Sequence, residues 1–74
     1  MDTSLRKTSL RKFEIGHTLG NVSEVWIYID DRQVFRDTMP LFGARALCHA
    51  FTQLLGNEYY TKNTSRSVSY VWVK

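Results

Sequence analysis

The chain has 74 residues, 43% of them hydrophobic and 23% charged, with a formal net charge of +3. That balance excludes a disordered chain, and the length allows one domain near the lower limit at which a single core supports itself. No apolar run approaches the roughly 18 residues a spanning helix needs, no secretory pattern opens the chain, and one cysteine, Cys48, leaves no internal disulfide and no multi-cysteine zinc site. These features predict a soluble, cytoplasmic protein of a reducing compartment, with no membrane partner.

The net charge lies at the start of the chain. Thr3-Ser4-Leu5-Arg6-Lys7 is followed at once by Thr8-Ser9-Leu10-Arg11-Lys12. Arg6, Lys7, Arg11 and Lys12 stand against Asp2, whereas residues 13–74 carry six basic and six acidic side chains. A period of five advances about 500° on a helix and alternates faces on a strand, so neither form gives the repeat an apolar side. Residues 1–12 are therefore expected to be a flexible basic arm and residues 13–74 a single α+β domain.

Beyond the arm the period becomes two. Phe13, Ile15, His17 and Leu19 alternate with Glu14, Gly16 and Thr18, as in a half-buried strand. Gly20-Asn21 suits a two-residue hairpin turn with φ > 0. Val22 to Ile29, dense in β-branched and aromatic residues, is the clearest strand. Asp30-Asp31-Arg32-Gln33 reads as a polar turn, and Val34-Phe35-Arg36 as a short third strand.

Near Pro40 the period changes again. Proline suits the first helical turn, where its missing N–H has no partner to lose, and Asp37 or Thr38 can cap the helix start. Leu41, Ala44, Leu47, Cys48, Phe51, Leu54 and Leu55 recur at three- and four-residue steps. Gly56-Asn57 signals the stop. Asn57 to Ser67 reads as a loop, and Ser67 to Val73 as a last strand. The fold class is α+β, in the order βββαβ: an antiparallel β-meander, one amphipathic helix on one sheet face, and a C-terminal strand joining the sheet. The opening βββα order resembles, in topology alone, small nucleic-acid-binding modules such as integrase arm-binding domains.

One helix covers only one side of such a sheet. With the helix on the aliphatic side of the central strand, Trp26, Tyr28, Tyr70 and Trp72 could share the other side as an aromatic surface of a kind monomers seldom leave bare. Such a surface reads in three ways: partly core, a protein interface anchored by Trp and Tyr, or a stacking platform for single-stranded nucleic acid. On the helix, Arg45, His49 and Gln53 align at i±4 as a polar face open to solvent or to a partner.

Sites of chemistry are few. His49 follows Cys48 and diverges from it by about 100° on a helix, so the two form no dyad. Cys48 in the apolar stripe reads as a small buried residue, and His17 as a satisfied half-buried side chain. Asp30-Asp31 lacks the further carboxylates of a calcium loop. The expectation is a non-enzymatic protein with no cofactor, metal or small-molecule substrate. It would dock on a larger protein or assembly, or on a second copy, as an accessory or inhibitory modulator of phage or plasmid type. Trp26, Tyr28, Tyr70, Trp72, Arg45, His49 and Gln53 are the candidate contacts. The alternative is a DNA- or RNA-binding module that uses the basic arm and the aromatic face.

Overall fold

A computed structural model describes residues 11–73. Its elements run β1 (Lys12–Thr18), β2 (Val22–Ile29), β3 (Arg32–Pro40), α1 (Leu41–Leu55), β4 (Tyr60–Asn63) and β5 (Ser67–Val73). All strands are antiparallel in one sheet of order β3-β2-β1-β5-β4. The fold is α+β, with the helix after β3 packed on one side of the sheet. The proposed arm lies outside the described residues up to position 10. Lys12, assigned above to the arm, is the first residue of β1 and pairs with Val73.

The turns differ from expectation. Asp30 and Asp31, not Gly20 and Asn21, adopt positive φ, at 52° and 67°. They form a two-residue hairpin between Ile29 and Arg32, so Arg32 and Gln33 belong to β3. The β1–β2 connection is held from outside itself. Leu19 N–H donates to Arg66 O, and Asn21 O accepts the N–H of Leu41, the first residue of α1.

That last bond replaces the expected side-chain cap. Pro40 occupies the N-cap position and no side chain caps the helix, because Asp37 and Thr38 are taken into β3. At the other end Gly56, with φ 95°, closes the helix through its N–H to Thr52 O at 2.9 Å, as a glycine stop does. Within α1, Ala44 and Cys48 are buried, while Leu54 is 79% exposed. Leu54 lies about 120° around the helix from Cys48, beyond the buried stripe.

Expected as loop, Tyr60–Asn63 pairs with β5 and extends the sheet by one exposed edge strand. Ile15, Val25, Ala44, Cys48 and Trp72 form the core, and Phe13, Ile27, Met39, Leu47, Phe51, Tyr59 and Tyr70 pack around it.

Register decides which side chains share a face. Phe13 lies between Ile29 and Trp72, Ile15 between Ile27 and Tyr70, and His17 between Val25 and Val68. Opposed residues project to one side of a sheet, so Tyr70 and Trp72 join the aliphatic row beneath the helix. Gly16 lies between Trp26 and Ser69, and Glu14 between Tyr28 and Val71. The four aromatics therefore do not form one surface: Trp26 and Tyr28 occupy the open face, while Trp72 belongs to the core.

Candidate functional site

The helix side holds a cleft of about 470 Å³ where α1 meets β1 and β5. His17, Cys48, Val68 and Tyr70 contribute from strand and helix, and Arg45, His49, Thr52, Leu19 and Tyr59 complete the lining. The i,i+4 spacing of Arg45 and His49 sets both on the helix face that borders the cleft. Tyr59, in the connection from α1 to β4, is edge-on to Tyr70 with ring centroids 5.2 Å apart, and 5.3 Å from Trp72. That aromatic cluster forms a firm wall against the core.

Polar groups at the cleft are oriented in part. His17 is buried, and its Nδ1 donates to Thr18 O at 2.7 Å. Thr52 Oγ1 donates to His49 O, also at 2.7 Å. Burial pushes the Tyr70 phenol above its ordinary pKa, with Cys48 and Tyr59 adding and Arg45 opposing. The lining includes the Arg45 guanidinium and two imidazoles, and no carboxylate.

Burial pushes the Cys48 thiol up to about 11. A nucleophilic cysteine needs the opposite shift, toward the thiolate. Among the described residues there is no group of three or more His, Cys, Asp and Glu side chains that could hold a metal ion, and no helix long and apolar enough to cross a membrane.

The open face holds a second groove of about 460 Å³, lined in part by Trp26 and Tyr28. The Trp26 indole packs close against Gly16 of β1. A Cβ there would lie 2.4 Å from Ser69 Oγ and 2.7 Å from Trp26 Nε1, so the indole lies directly over the strand. Around it the charges are paired, Arg36 with Glu24 and Lys62 with Glu14 at 3.3 Å. The Glu24 partnership raises the Arg36 pKa through its hydrogen bond and its charge. Gln33 Nε2 donates to the Tyr28 hydroxyl at 3.2 Å.

The candidate contacts are therefore divided. Arg45, His49 and Tyr70 meet at the cleft, and Trp26 and Tyr28 meet at the opposite groove. Trp72 is 4% exposed, and Gln53, although exposed on α1, lines neither. Arg6 and Lys7 lie outside the described residues, while Arg11 is exposed. Lys12 is tied to Asp31, Nζ to Oδ1 at 3.0 Å, and that bond with its charge raises the lysine pKa. Sequence reasoning missed Tyr59, whose flanking segment carries no strand or helix period. It also set His17 apart from the helix residues that the fold brings beside it.

Comparison with protein-family models, with curated proteins and with solved structures finds no match to this chain.

Proposed function

We propose that this protein acts by binding, not by catalysis, and docks on another protein as an accessory or inhibitory modulator in a cytoplasmic setting. The reading rests on the cleft beside α1, where Arg45 and His49 stand over an aromatic wall with no carboxylate in the lining. Guanidinium and aromatic groups at the edge of a preformed recess are the usual anchors of protein interfaces. The charge favours an acidic segment of the partner, and Arg6, Lys7 and Arg11 add cations of the same sign. The raised Cys48 thiol supports a role without nucleophilic chemistry.

The test is affinity capture from cells of the source organism, with the full chain as bait. A partner retained by the wild type and by Arg36→Ala, but lost by the Arg45→Glu/His49→Asp double variant, supports the reading. Equal retention by all three baits removes the cleft from the interface.

Nucleic-acid binding through the arm is the second reading, favoured by the clustering of Arg6, Lys7 and Arg11. Against it, the described cations of the open-face groove, Arg36 and Lys62, are each paired with a glutamate, and Lys12 is paired with Asp31. The arm's three remaining cations, Arg6, Lys7 and Arg11, predict a log–log salt slope of about −2.7 on duplex DNA. Fluorescence anisotropy at low salt checks this, and no binding there eliminates the second reading.

A further inference from the structure

We propose that the β3 edge pairs antiparallel with the same edge of a second copy, giving a two-fold dimer with one continuous sheet. β3 is an outer strand of nine residues, all of them exposed except the half-buried Met39. Edges of this length are templates for strand addition unless they are blunted.

The backbone polarity of this edge follows from one bond. Glu24 N–H is taken by Thr18 Oγ1 on the β1 side at 2.9 Å. Backbone groups alternate sides along a strand, so Trp26 and Tyr28 also turn toward β1, and Val25, Ile27 and Ile29 bond to β3. Their partners Asp37, Phe35 and Arg32 then bond inward, whereas Thr38, Arg36 and Gln33 direct N–H and C=O away from the sheet. Thr38 N–H is covered by the Asp37 carboxylate at 2.8 Å. No partner for the outward groups of Arg36 and Gln33 is found among the described residues.

A register shift makes the edge complementary to itself. Between Ile27 and Tyr28 the pairing passes from Phe35 to Gln33 and leaves Val34 without a counterpart. Arg32 and Asp37 thereby share the helix side of the strand, and Gln33 and Arg36 share the open side; without the bulge, neither pair would. With a two-fold axis between Val34 and Phe35, Arg32 faces Asp37 of the second copy, Gln33 faces Arg36, and Val34 faces Phe35. Every contact occurs twice, and each outward backbone pair can exchange hydrogen bonds. Neither Arg32 nor Asp37 takes part in the ion pairs of the described residues. Val34 and Phe35 remain 52% and 38% exposed. The cleft, bordered by β1 and β5, stays open in this arrangement.

Sedimentation velocity of the full chain over about 1–500 µM tests the proposal, a range suited to an interface below standard size. The wild type is expected to dimerise. Arg32→Asp alone and Asp37→Arg alone should each weaken the dimer about tenfold or more, because each sets like charges face to face. The double variant Arg32→Asp/Asp37→Arg should restore it, a rescue that a merely misfolded protein does not give. A wild type monomeric throughout the range overturns the proposal. So does a dimer indifferent to the single reversals, or one that the double variant fails to restore.

Discussion

The indole Nε1 of Trp72 donates a 2.9 Å hydrogen bond to the carbonyl oxygen of Gly56. The bond joins β5 to the residue that ends the helix, so the largest core side chain also fixes where α1 stops. Trp72→Phe keeps the apolar contact but removes that hydrogen bond and leaves unfilled volume. A loss of about 2–3 kcal/mol in urea unfolding is expected. Trp26→Phe, on the open face, should cost under about 1 kcal/mol. Equal losses at the two sites would contradict the division of the aromatics between faces.

Gly16 and Trp26 are coupled by contact. Gly16→Ala introduces a Cβ where the indole and Ser69 Oγ already lie, and should destabilise by about 1–3 kcal/mol. In a Trp26→Ala background the hydroxyl can rotate away and the penalty should shrink. A double-mutant cycle measures the coupling, and strict additivity would show that the indole does not lie over β1 in solution.

Cys48 gives a pH dependence of known sign. Its thiol rises from an ordinary 9.0 to about 11 in the fold, so the native state favours the protonated form. That contribution is complete below about pH 9 and is lost as pH climbs through about 11. It amounts to at most about 2–3 kcal/mol. Denaturation curves across this window should be flatter for Cys48→Ala than for the wild type, with a remainder from Tyr70, whose pKa is also raised. Parallel curves would place the thiol in contact with water.

The Asp30-Asp31 hairpin is strained. Both residues adopt positive φ, a conformation that Asn-Gly fills better. Asp30 also accepts Lys12 N–H at 2.9 Å, a bond that an asparagine oxygen can keep. Asp30→Asn/Asp31→Gly should therefore raise stability by about 0.5–1 kcal/mol, since the exposed Lys12–Asp31 pair it removes adds little. A fall in melting temperature would assign that ion pair a larger role than exposure permits.

The period-two run from Phe13, the dense strand from Val22 and the helical spacing around Ala44 and Cys48 were legible because each buries one face. The face of β5 was not. Val71 and Val73 offer one apolar phase, and Val68, Tyr70 and Trp72 offer the other. Ser67 and Ser69, which share the first phase, were the signal that it turns from the helix. Tyr60–Asn63 has no apolar alternation and becomes a strand through pairing with β5. At the cleft, Arg45 and His49 could be paired by spacing, but His17 and Tyr59 come together only when the sheet closes.

The sheet order sets the timing of assembly. β1, the first strand described, is central, and its second neighbour is β5, the last. A ribosome-bound chain that has emerged only as far as Asn63 can form the β1–β3 meander and the helix, but it lacks Tyr70 and Trp72. The cleft and half the sheet remain open until translation has passed β5. Closure of the sheet is thus governed by a pairing between strands distant in sequence, which must wait until β5 is available.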